Sequence, residues 1–184
     1  TFKAAKYINF QLGYDRNFIG NGYRSLFLSD FSGNQLFVKI NTRIWKFNYQ
    51  NLFMELHTKG KSNSTNDLVP KKYATMHHLS MNVMPWLNVG VFESVVFGRK
   101  DHFEFGYMNP IIFFRSIEGN LGSKDNAMVG ADFKANLFKK VQVYGQLLLD
   151  EFNFAELRKD KSWWGNKTGI QLGLKYIDVA NVSN

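Results

Sequence analysis

His77 and His78 stand side by side, with His57 upstream, and histidine is the side chain that most readily moves a proton or holds a metal near neutral pH. The residues around the pair alternate as a strand does, so the two rings point to opposite faces and cannot chelate one ion together. A lone histidine on a polar face is the simpler expectation. A hydrolase would need His57, His77 or His78 beside a hydroxyl nucleophile and an orienting carboxylate. No Gly-x-Ser-x-Gly, His-Glu-x-x-His or phosphate loop supplies that context. Glu118 with Asp125 is too sparse for calcium, and a sequence without cysteine has no thiolate metal site. The residues point to a non-enzymatic protein with no metal or cofactor.

Other groups are suited to binding. Arg24 and Asp30, with Tyr23 and Ser29, lie in a segment where Gly20 and Gly22 permit tight backbone turns. Between Gly98 and Asn126 the chain is too long for a plain connector and carries both apolar and charged groups. There Arg115 and Lys124 could hold acidic sugars through charge-assisted hydrogen bonds, with Asn126 reading hydroxyls. Equally, Arg115 could pair with Glu118 or Asp125 and pin the loop. Trp163 and Trp164 offer faces on which sugar rings can stack, or one ring could sit at a membrane interface while the other clamps its loop.

The elements that must position these groups are strands. Alternation with period two runs through Lys6 to Asp15, Gln35 to Trp45, Phe47 to Thr58, Tyr73 to Met84, Val89 to Phe97, the hairpin from Ala127 to Phe152, and Thr168 to Tyr176. In the fourth of these, Leu79, Met81 and Val83 oppose His78, Ser80 and Asn82; in the next, Glu93 interrupts a row of valines. For Phe47 to Thr58 the apolar row is Leu52, Met54 and Leu56, against Asn51, Glu55 and His57. Connections alternate in length. Tight ones fall around Lys46, at Pro85 to Asn88 and at Lys139 to Lys140; long ones run over Arg16 to Asn34, Gly60 to Lys72, Gly98 to Asn126 and Glu151 to Lys167. Antiparallel neighbours joined in sequence place all tight turns at one end of a sheet and all long loops at the other, as in outer-membrane barrels. Trp45, Phe47 and Trp86 mark the tight-turn end and Tyr14, Tyr73, Phe97 and Phe152 the loop end, where aromatic rings would sit at two headgroup levels.

Composition agrees with an all-β chain. Aromatic residues make up 16% of the 184 residues, with 18 Phe and 8 Tyr. No apolar run approaches the roughly 18 to 20 residues of a membrane-spanning helix, whereas a membrane strand needs only about 9 to 11 and hides half its side chains from lipid. A mean hydropathy of −0.28 therefore does not separate lipid from a second protein layer as the cover for the apolar faces. The net charge of +8 favours anionic partners, but the basic residues are scattered instead of gathered on one face with stacking aromatics, which argues against nucleic acid. The expected fold is an antiparallel transmembrane β-barrel segment of about eight strands, with short periplasmic turns and long extracellular loops. A soluble β-barrel carrier and an outer-membrane hydrolase acting on lipid or glycan are the alternatives. The start at Thr1, without a signal peptide, and the absence of a terminal aromatic strand lead to the expectation that residues 1–184 are a single barrel segment, incomplete at both ends.

Four stretches, "GYDRNFIGNGYRSLFLSDFSGN" from Gly13, "YMNPIIFFRSIEGNLGSKDNAMVGADF" from Tyr107, "YGQLLLDEF" from Tyr144 and "WWGNKTGIQLGLKY" from Trp163, resemble in the same order the Bacteroidetes branch of the Wzi-like capsule-assembly outer-membrane proteins. That branch includes barrels of the RemB gliding-motility type. The resemblance covers most of the chain. It implies part of a larger barrel in the bacterial outer membrane, in contact with lipid, lipopolysaccharide, surface polysaccharide and other outer-membrane proteins. It further implies a role in holding capsular polysaccharide or serving surface motility. Arg24, Asp30, Arg115, Lys124, Asn126, Trp163 and Trp164 are the expected polysaccharide-binding residues.

Overall fold

The computed structural model describes residues 1–56, 72–98, 105–110, 125–150 and 167–177. These form strands β1 (Phe2–Ala5), β2 (Ile8–Asp15), β3 (Gln35–Ile44), β4 (Phe47–Leu56), β5 (Lys72–Met84), β6 (Leu87–Phe97), β7 (Asn126–Leu137), β8 (Val141–Asp150) and β9 (Lys167–Tyr176), with a short 3₁₀ turn at Phe105–Met108. All nine lie in one antiparallel sheet in the order of the sequence. The sheet is open, with β1 and β9 at its edges.

The strand beyond the expected eight is β1. The alternation beginning at Lys6 is cut by a turn at Lys6–Tyr7, after which Phe2 pairs with Phe10 and Lys3 with Asn9. That turn joins those at Trp45–Lys46, Pro85–Trp86 and Phe138–Lys140 at one end of the sheet. The carbonyls of Tyr7, Lys46, Trp86 and Lys140 each accept a hydrogen bond from the next strand over, at 2.8 to 3.1 Å, so the turns stand in a row. Trp45, Phe138 and Lys139 adopt φ of 52°, 53° and 60°, the left-handed backbone such hairpins demand. The alternation of short and long connections, and their segregation to opposite ends, is as the sequence predicts.

The pleat divides the side chains into two faces. On one lie Leu12, Val38, Val91, Val129, Leu147, Ile170, Leu172 and Leu174. On the other lie Asn41, Gln50, His78, Asn82, Asp132, Gln146 and Gln171. Strand β4 reverses its expected orientation. Ile44 pairs with Phe47 across the two-residue turn, so those two share the apolar face and parity sends Leu52 and Met54 to the polar one. There Leu52 is fully buried and packs with Phe37, Met54, Ala74, Met76 and Phe92.

The long segment between β2 and β3 covers that cluster. Its Ile19 and Phe27 are buried against the polar face, where Phe27 stacks on Phe92 with ring centroids 4.4 Å apart. An isolated bridge between Ile19 and Leu28 closes the segment on itself. Burying side chains of this size stabilises by about 1.5–3 kcal/mol each. The principal core thus lies between this first loop and the sheet.

The apolar face is largely bare. Ile170, Leu172 and Leu174 of β9 are 71%, 74% and 64% exposed, and Leu12 of β2 63%. One patch is covered. Tyr107, fully buried, packs its ring 4.7 Å from Phe97 beside Val95, Tyr73 and Ala127, and donates a hydrogen bond to Asp125 (2.8 Å), while Tyr49 donates to the Pro110 carbonyl (2.6 Å). The described part of the β6–β7 connection therefore lies on the apolar face, not over the mouth. Aromatic rings at the tight-turn end are exposed as expected: Trp45, Phe47 and Trp86, joined by Tyr7, Phe138 and Tyr176. At the other end Tyr14 is exposed, but Tyr73 and Phe97 serve as packing under Tyr107; Phe152 lies outside the described residues.

Candidate functional site in the polar face

Adjacent positions on β5 send His77 and His78 to opposite faces, as the alternation predicts, and each ring finds a carboxylate. On the apolar face His77 Nδ1 lies 2.9 Å from Glu93 Oε1, in cross-strand register and with Asn51 on its other side, and the Tyr49 ring stands 5.7 Å from its own. A buried charged group needs such a partner, which is why Glu93 interrupts the valines of β6. On the polar face His78 Nε2 lies 2.8 Å from Asp132 Oδ1. Because an ionised carboxylate only accepts, the Nε2 nitrogen carries the proton.

His78 and Asp132 belong to β5 and β7, so their contact must pass over β6. It does so above Gly90, paired with Ser80 on one side and Asp132 on the other. A Cβ there would collide with both the imidazole and the carboxylate. The second oxygen of Asp132 accepts from the Asn21 amide of the first loop. A further latch lies one strand on: Gln146 of β8 accepts the Leu26 backbone N–H at 2.8 Å and donates to Ser25 Oγ at 3.1 Å. Ser25 in turn donates to the Ile19 carbonyl. Two side chains of the sheet, both deeply buried, thus read the backbone and amides of one loop.

Below this loop, towards the tight turns, the polar face opens into a basin of about 430 Å³. Loop residues Phe18–Asn21 form one wall; β3 to β7 supply the rest, including Arg43, Asn48, Gln50, Ser80, Asn82, Asn88 and Lys134. Amides and cations dominate its polar lining, with Ser80 the one hydroxyl, and none of its residues is acidic. Arg43 Nε donates to Asn48 Oδ1 at 3.4 Å, and Asn88 Nδ2 to Asn82 Oδ1 at 2.8 Å. The volume falls in the range of small-molecule sites. Its chemistry suits a hydroxylated ligand with negative charge.

The three described residues among those expected to bind polysaccharide stand elsewhere. Arg24 is exposed on the first loop, its guanidinium 4.6 Å from the Phe31 ring centroid and 5.8 Å from that of Tyr23. Asp30 is exposed on the same loop and accepts from Ser29 Oγ at 3.4 Å. Asn126 opens β7 at the loop end, opposite Val96, with its Oδ1 buried and unbonded among the described residues. Arg115, Lys124, Trp163 and Trp164 lie outside the described residues, as does His57. Arg24, Asp30 and Asn126 do not line the basin. The basin residues carry a signal the sequence reading passed over: they are the polar positions nearest the tight turns in consecutive strands, and acids are missing among them.

Ser80, on the same face as His78, donates to the Asn48 carbonyl at 3.5 Å, not to the ring. Among the described residues no group of three or more His, Cys, Asp or Glu could hold a metal ion.

No family model, curated protein or solved structure matches this chain.

Proposed function

We propose that this chain builds part of the wall of an outer-membrane β-barrel, non-enzymatic, whose long loops hold or organise surface polysaccharide at the bacterial cell surface. The observation that carries the reading is the bare apolar face. A meander of antiparallel strands leaves much of one apolar face bare while its own loop packs the opposite, polar face. In water such a surface would be costly, at about 25 cal/mol for each Å² left exposed, whereas hydrocarbon accepts it. Four tight turns in a row, ringed by exposed aromatic side chains, add support, because that is how barrel strands meet the periplasmic interface. In lipid no backbone edge can stay open, so β1 and β9 would pair with further strands or with one another.

The saccharide role and the surface machinery rest on the resemblance of four motifs to Wzi-like proteins. Lipid, lipopolysaccharide, surface glycan and neighbouring outer-membrane proteins are the partners this reading implies. Membrane fractionation tests the location: the protein should require detergent for extraction and migrate differently in electrophoresis with and without boiling. Deletion should strip surface glycan. A protein that stays monodisperse in water without detergent contradicts the reading.

A further inference from the structure

We propose that the basin at the tight-turn end of the polar face is a binding site for an acidic saccharide, of the hexuronate type, entered from the side opposite the long loops. Only its sidedness relative to a membrane rests on the barrel reading; the binding itself does not.

Charge is the first argument. Arg43, Lys46 and Lys134 converge on the basin, and no acidic side chain lines it. Asp132, the carboxylate beside it, has one oxygen on His78 and the other on Asn21, so its charge is spent within the wall. Among the described residues none of the three cations forms an ion pair. Lys46 only reaches the Val83 carbonyl at 3.5 Å and lies over the Trp45 ring. Cations gathered without counter-charges raise the local concentration of anions.

Hydroxyl chemistry is the second argument. Side-chain amides carry a donor pair and an acceptor on one planar group, matching the vicinal hydroxyls of a sugar, and the basin presents them from several strands and from the loop. A bare phosphate would use the cations and leave those amides unread. The third argument is the mouth, where Trp45, 78% exposed at its tight turn, lines the basin. An exposed indole offers an apolar face to the C–H side of a pyranose.

Titration of the detergent-solubilised protein by calorimetry tests this, with tetragalacturonate, maltotetraose and inorganic phosphate as probes. Tetragalacturonate should bind saturably, and the double variant Arg43→Gln, Lys134→Gln should weaken it by roughly tenfold or more, since each lost charge-assisted contact removes an appreciable part of the affinity. Lys72→Gln, at the far end of β5, should leave affinity unchanged. A loss of affinity in Lys72→Gln equal to that of the double variant would overturn the proposal. Equal binding of maltotetraose or of phosphate would overturn it too, as would full affinity in the double variant. Heat-modifiable migration of each variant confirms that it folds. A heat-modifiable protein that ignores tetragalacturonate sinks this inference alone, while a water-soluble one sinks the membrane reading instead.

Discussion

His78, Asp132 and Asn21 form a chain of contacts that spans three strands and a loop, and it exists because residue 90 has no side chain. Gly90→Ala should force the imidazole and carboxylate apart and leave a buried charge short of its donors, at a cost of about 1–3 kcal/mol in unfolding free energy. Chemical unfolding in detergent or lipid measures it. Asp132→Asn, which keeps an acceptor, should cost less than Asp132→Ala. Gly20 is the second such position: its φ of 122° belongs to a region that side-chain-bearing residues rarely adopt, and a Cβ would meet Gln146 and Ser25. Gly20→Ala should loosen the first loop and speed tryptic cleavage after the exposed Arg24. Unchanged cleavage would mean that the loop is not latched through Ser25 and Gln146. The opposite facing of the two histidines was legible from alternation alone. Their carboxylate partners were not, since Glu93 lies sixteen positions from His77 and Asp132 fifty-four from His78, and only strand order brings them together.

At the scale of elements, strand limits were legible to within a residue or two wherever a long apolar alternation existed. Strand β4 shows where pattern fails. Leu52, Met54 and Leu56 look like the outward row because they are apolar, yet the two-residue turn after Ile44 fixes the parity and puts them under the first loop. Turn geometry was the better witness. That loop could not be placed from sequence, because its contacts join Ile19 and Phe27 to residues from five strands at long separations. On β9 the two faces can be set against each other directly. Leu172→Lys places a charge on the bare apolar face and should destabilise the lipid-embedded protein by about 2–4 kcal/mol if it sits near the bilayer midplane, whereas Gln171→Lys, one residue away on the polar face, should cost far less. Folding equilibria in lipid vesicles measure both. Equal costs would mean that β9 has no hydrocarbon side.

For the molecule as a whole, the membrane reading depends on what covers the apolar surface of the nine strands. The charge of +8 and the low mean hydropathy were silent on this point, because alternating strands dilute each apolar residue with a polar neighbour. The buried Asn51, His77 and Glu93 row interrupts the apolar side chains of that face, which composition could not reveal. The sequence has no cysteine, so single cysteines can be introduced at Ile170, Gln171, Leu172, Gly173 and Leu174 and labelled with a fluorophore. Quenching by nitroxide-bearing lipid in reconstituted vesicles then reads each position. A hydrocarbon-facing wall predicts strong quenching at 170, 172 and 174 and weak quenching at 171 and 173. Uniformly weak quenching along the strand, with the label at 172 shielded by protein, would contradict it.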